Sequence, residues 1–158
     1  MNVICAYAVN LDAVCNVKSS QLQPLLPSEI SSEKIGLKSS ISKMEDLVSS
    51  LLYCMREGSG AEILIDIPAL ASRIEKAFAW QMRLGGNAGI MANVLADLGA
   101  RPMLNAPAMG PSLAALLRPE VRLPLSGSLA KPGRVAQAKK DDRPEPVHFV
   151  FQFKRGEK

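Results

Sequence analysis

The sequence predicts an α/β protein, and three stretches carry that prediction. "VICAYAV", residues 3–9, is a short, continuous apolar run, the pattern of a strand buried on both faces in a parallel sheet. "SKMEDLVSSLLYCMREG", residues 42–58, has the 3.6-residue periodicity of a helix lying on such a sheet. "RLGGNAGIMANVLADLGA", residues 83–100, passes from a glycine-rich turn directly into a second apolar helix.

Along the chain, the first strand is expected to end at Asn10, so that "NLD" lies at its carboxyl end. Residues 18–40 are rich in Ser, Pro, Lys and Gln and read as a connection leading away from it. In the helix that follows, Ser42 and Glu45 have capping-box spacing, and Gly58 is placed to close the far end. Met44, Leu47, Val48, Leu51, Leu52 and Met55 form its apolar stripe. Pro68 suits the first turn of another helix, expected to run to about Arg83 with Leu70, Ile74, Ala77, Phe78 and Gln81 along it.

In the helix after the glycine turn, Ile90, Met91, Val94, Leu95 and Leu98 recur at helical spacing up to Gly99, and "RPMLNAP" reads as a short strand. From about Leu117 the pattern is short apolar pieces among Pro, Gly and charge, expected as strands and long loops, with Lys139, Lys140, Asp141 and Asp142 a solvated mixed-charge loop. "VHFVFQF" then makes a strand with Val147, Phe149, Phe151 and Phe153 on one face, which leaves an unpaired edge near the end of the sequence.

Composition narrows the function. A chain of 158 residues with 47% hydrophobic and 22% charged residues is long enough to bury a core. Its net charge of +4 is modest, and four Phe, two Tyr and one Trp are too few for stacking nucleic-acid bases, so no nucleic-acid partner is expected. Cys5, Cys15 and Cys54 are odd in number and set in apolar surroundings, the pattern of reduced, buried thiols and a cytoplasmic protein. His148 is the only histidine and no cysteine pair has ligand spacing, so no metal site is expected. No apolar run approaches the roughly 20 residues of a membrane span.

Several residues have two readings each. Asp12, beyond a strand of an open α/β sheet, is a turn aspartate or a carboxylate accepting hydrogen bonds from sugar hydroxyls. "GGNAG" at residues 85–89 is a packing turn, or a loop whose exposed N–H groups and Asn87 amide meet an oxygen-rich ligand. It is not GxGxxG, because Asn87 stands where a glycine is required. Glu62 is a solvated loop carboxylate or an acceptor on a mobile flap. His148 is a residue on the polar face of its strand or a substrate contact through its donor and acceptor nitrogens. None of these sets can carry catalysis unaided, and no catalytic residue is assigned.

Together, "AYAVNLDAV", the "AE" at Ala61 and Glu62, "RLGGNAGIMAN" and the late "HFVFQFKRGEK" resemble, in order, the ADP-dependent sugar kinases. These are the phosphofructokinases and glucokinases of the ribokinase-like superfamily. The resemblance implies a three-layer α/β/α fold with a small β-rich lid, present as an N-terminal part spanning residues 1–158. Segments at about 18–40 and 59–67 then belong to the lid or its connections.

The implied activity is transfer of the β-phosphoryl group of ADP, with Mg²⁺, to glucose or fructose 6-phosphate in glycolysis. Carried over, Asn10 and Asp12 are sugar contacts, Gly86 and Asn87 form the sugar-binding turn, and Glu62 is the lid carboxylate of members that accept glucose. The family's catalytic aspartate ends a Gly-x-Gly-Asp motif, whereas "GSGA" at residues 58–61 has Ala61 in that place. The base, the ADP site and most sugar-phosphate contacts are therefore expected beyond this sequence, in a C-terminal part that would be its partner. The chain alone is expected to be inactive and to hold neither ADP nor Mg²⁺. The competing expectation is a non-catalytic sugar-binding or protein-interaction module derived from the kinase.

Overall fold

The computed structural model describes residues 1–26, 35–106, 108–125, 127–138 and 145–154. The mixed-charge run at 139–142, the middle of the 18–40 connection and the last four residues lie outside them. The chain forms two compact units: Met1–Ala13 with Gln81–Phe149, and Val14–Trp80 with Val150–Lys158.

In the first unit, β1 (Asn2–Ala6) pairs in parallel with β6 (Arg101–Asn105), with Ile4 opposite Met103 and Cys5 beside Leu104. Helix α4 (Asn87–Asp97) packs on this pair. The same unit holds α5 (Pro111–Leu116), the antiparallel hairpin of β7 (Leu123–Leu125) and β8 (Ser128–Ala130), and α6 (Pro132–Ala138). The core joins Cys5, Val9, Leu104, Leu113, Val121 and Val135. A helix therefore occupies part of the stretch expected as strands and loops: Pro132 starts it, and Val135 is drawn into the core.

The expected strand over residues 3–9 is instead two. β1 stops at Ala6, Tyr7 takes a positive φ of 87°, and β2 (Asn10–Asn16) begins three residues later. "NLD" thus opens a second strand rather than closing the first. β2 is the middle of a three-stranded sheet between β5 (Gln81–Gly85) and β9 (Val147–Gln152).

The second unit holds the short α1 (Ser19–Leu22), the parallel pair of β3 (Ser40–Ile41) and β4 (Leu64–Ile65), α2 (Met44–Glu57) and α3 (Pro68–Ala77). α2 buries Met44, Leu47, Val48, Leu51 and Met55, and Gly58 closes it at φ 63°. Its start differs from the expected Ser42–Glu45 box. The helix begins one residue later, so the carboxylate that reaches back is Asp46, accepting from the N–H groups of Ser42 (3.3 Å) and Lys43 (3.2 Å).

α3 ends at Ala77, short of Arg83. Phe78 turns extended and packs edge-on to Phe151, while Trp80 contacts both rings, so Gln81 becomes the first residue of β5. Ring burial here outweighs continuation of the helix. Ser49 and Ser50 are buried in α2, where the Ser49 hydroxyl bonds the Gly36 backbone and Ser50 accepts from the Lys38 N–H, tying down the end of the long connection.

The three cysteines are free and buried, and burial pushes the Cys5 and Cys15 thiols above the ordinary thiol range. Burial also shields all three from reagent, so they are expected to react with a thiol reagent only as the chain opens, at rates at least about tenfold below those in urea. Timed modification in buffer and in urea checks this, and a rapidly labelled cysteine in buffer would contradict its burial. No helix among the described residues is long and apolar enough to cross a membrane.

Candidate functional site

The site grows from the break between β1 and β2. Because the chain turns at Tyr7–Val9, the Ala8 carbonyl accepts a hydrogen bond from the Ala88 N–H (3.1 Å), which fastens the start of α4 to the start of β2. Gly86 makes that approach feasible. Its φ is +78°, and a Cβ there would run into the Ala8 carbonyl and the Val9 nitrogen. One of the N–H groups expected to face a ligand at this helix start is therefore already used by the protein, and Asn87, exposed as the first helical residue, is the polar side chain offered to solvent.

On β2, Asn10 and Asp12 share one face, two residues apart. The Asn10 side-chain N–H donates to Asp12 Oδ1 at 2.6 Å. Asn10 is buried and Asp12 half-buried, which fixes the carboxylate while leaving it reachable. Gly85, on the neighbouring strand β5, is the residue that sequence reasoning missed. A Cβ at Gly85 would strike both Asp12 Oδ1 and Asn10 Nδ2, so this glycine makes the space in which the amide–carboxylate pair sits. The doubled glycine in "LGGN" was the available signal, and each of its two members has a separate steric task.

β9 brings the third polar group. The Leu11 N–H donates to the Pro146 carbonyl (2.8 Å), and Glu145 Oε1 accepts from the Leu113 N–H (2.8 Å) at the first turn of α5. With residues 145–146 held in this way, His148 Nδ1 comes to 3.9 Å from Asp12 Oδ1, with its side chain mostly exposed. That separation is an ion-pair distance for a protonated ring and too long for a hydrogen bond. Among the described residues both contacts of the Asp12 carboxylate fall on Oδ1. Oδ2 makes neither contact, and a carboxylate, an amide and an imidazole can between them accept from, and donate to, hydroxyls.

The structure thus brings Asn10, Asp12, Gly86, Asn87 and His148 together in one unit. Glu62 belongs to the other unit, where it is exposed just before β4. Among the described residues no group of three or more His, Cys, Asp or Glu side chains is arranged to hold a metal ion.

Residues 1–158 match the ADP-specific phosphofructokinase/glucokinase conserved region. The chain is 29% identical to an ADP-specific phosphofructokinase of Pyrococcus abyssi over its whole length, and 26% identical to an ADP-dependent glucose/glucosamine kinase of Pyrococcus furiosus over 98% of it. It spans 37% and 35% of those two proteins. A crystal structure described as a hypothetical ADP-dependent phosphofructokinase from Pyrococcus horikoshii superposes with a TM-score of 0.75 at 25% identity, over 99% of this chain and 38% of that one. The expected α/β fold is thus that of solved ADP-dependent phosphofructokinases, of which this chain corresponds to a part. The chain belongs to the ADP-specific phosphofructokinase/glucokinase family.

Proposed function

We propose that this chain supplies the sugar-binding part of an ADP-dependent glucokinase/phosphofructokinase acting in glycolysis in the cytoplasm. The observation that carries the reading is the Asn10–Asp12–His148 cluster, built over Gly85 and beside the Gly86–Asn87 turn, in a chain of this family. Asp12 Oδ2 accepts from one or two hexose hydroxyls, Asn10 holds the carboxylate in position, and Asn87 and His148 bond to further hydroxyls from the rim. ADP, its Mg²⁺ and the proton-accepting aspartate belong to the remainder of the kinase, and the chain alone transfers no phosphate.

Support for a further layer comes from β1 and β6. Parallel sheets are covered on both faces, and here α4 covers one while Ile4 on the other is 73% exposed. The C-terminal part of the kinase is the partner we assign to that face. The segments at about 18–40 and 59–67, which fall in the second unit, belong to the lid or its connections, with Glu62 the lid carboxylate.

The experiment is a titration of the 158-residue chain with glucose and with fructose 6-phosphate, followed by backbone NMR, alongside an assay for sugar phosphate with ADP and Mg²⁺. Shifts centred on residues 10–12, 85–89 and 148 without turnover are expected. Turnover by the chain alone would overturn the division of labour. In a kinase rebuilt with the C-terminal part of a relative, Glu62→Ala is expected to lower glucose kcat/KM by about ten- to a hundredfold while changing fructose 6-phosphate far less, because the lost bond is to a hydroxyl that the phosphate-anchored sugar relies on less. Equal losses for both sugars, or none, would return Glu62 to a solvated loop.

A further inference from the structure

We infer that Tyr7 is an aromatic platform for the apolar C–H face of the bound hexose; this rests on the sugar-binding reading above. Among the described residues Tyr7 is the only non-glycine with a positive φ, 87°. Left-handed backbone at a bulky residue is strained, and it persists only where its surroundings enforce it. The enforcing contacts adjoin it in the chain. Immediately after Tyr7, the Ala8 carbonyl is bonded to the Ala88 N–H and pressed against Gly86, and Asn10 follows two residues further on.

The chain therefore crosses from β1 to β2 along the turn that borders the polar cluster. A residue serving only this bend would be glycine or asparagine, which bear the conformation at little cost. The sequence places a tyrosine there and leaves it 89% exposed, so the ring gains almost nothing from packing within the chain.

The polar cluster lacks what such a ring supplies. Asn10, Asp12, Asn87 and His148 address hydroxyls, which lie around the edge of a sugar ring, whereas its axial C–H groups form apolar patches on the faces. Small-ligand sites combine a few placed polar groups with aromatic surface, and tyrosine offers that surface with a polar tip that tolerates water. Tyr7, three residues before Asn10 on the turn that leads into β2, presents that surface to the C–H face while Asp12 and Asn10 hold the edge.

The test uses the 158-residue chain with Tyr7→Phe, Tyr7→Gly and Tyr7→Ala, each titrated by NMR with glucose and with fructose 6-phosphate and melted without ligand. Phe is expected to keep Kd within about twofold, while Gly and Ala raise it about tenfold. Gly is expected to raise Tm, since it removes the strain along with the ring. Tighter folding combined with weaker binding in the same variant is an outcome that a merely structural tyrosine does not produce. Unchanged binding in Gly and Ala overturns the platform and leaves the site, and a Phe variant as weak as Ala assigns the effect to the hydroxyl and also overturns it. A wild-type chain that binds neither sugar overturns the site reading itself, and the platform with it.

Discussion

Replacing Gly86 by alanine is expected to destabilise the chain by about 3 kcal/mol or more, because two separate penalties meet at one position. The new residue inherits a φ of +78° and a Cβ that collides with backbone, the Ala8 carbonyl and the Val9 nitrogen, neither of which is the movable end of a side chain. Gly99 is the control. It has almost the same φ, +77°, at the end of α4, but a Cβ there meets open space. Gly99→Ala should therefore cost only the conformational term, about 1 kcal/mol. Urea unfolding of both variants measures the difference. If they lose the same stability, the close approach of residues 8–9 to the turn is wrong, and with it the geometry that joins α4 to the site.

Asp12→Ala is expected to remove sugar phosphorylation in the rebuilt kinase by about a hundredfold or more for glucose and fructose 6-phosphate alike, since it deletes one or two charge-assisted hydrogen bonds. It also leaves the buried Asn10 amide without the acceptor it now holds at 2.6 Å. Asp12→Asn separates the two effects: it keeps a carbonyl oxygen for Asn10 and loses the charge, so the fold should be retained while kcat/KM stays low. The measurement is kcat/KM for both sugars with a melting curve for each variant. A loss confined to one sugar would show that Asp12 contacts a group the two do not share, and an Asn variant with full activity would show that the charge is not used.

Much of this was legible in the sequence, for identifiable reasons. The periodicity of α2, its αL glycine at Gly58, Pro68 at the start of α3 and the strand at Arg101–Asn105 are set by neighbours within a few residues. Asn10 and Asp12 stood out as polar residues following an apolar run, although their spacing along one strand face was not foreseen, and "GGN" announces a backbone that side chains must not obstruct.

Other features depended on partners far along the chain. The apolar run 3–9 gives no sign that Tyr7 will turn left-handed and divide it. That bend exists because residues 8–9 are held by Gly86 and Ala88, about eighty positions away. In α4 the larger apolar residues Ile90, Met91, Val94, Leu95 and Leu98 recur at helical spacing, the stripe that the sequence offers to a core. The structure turns Ala88, Gly89, Ala92 and Ala96 inward and leaves the larger Ile90, Met91, Val94 and Leu98 exposed, the reverse of what size alone suggests. Close approach favours this at Gly89, where a Cβ would come within 3.1 Å of the Leu84 side chain.

Residue types and local spacing thus determined α2, the starts of α3 and α4 and the strand at Arg101–Asn105. Tertiary structure alone decided that "NLD" begins a strand, that Gly85 clears room for an amide–carboxylate pair, and that His148 arrives beside Asp12. Each of these depends on which backbones approach within a few ångströms, and that distance is set by segments that meet only when the chain has folded.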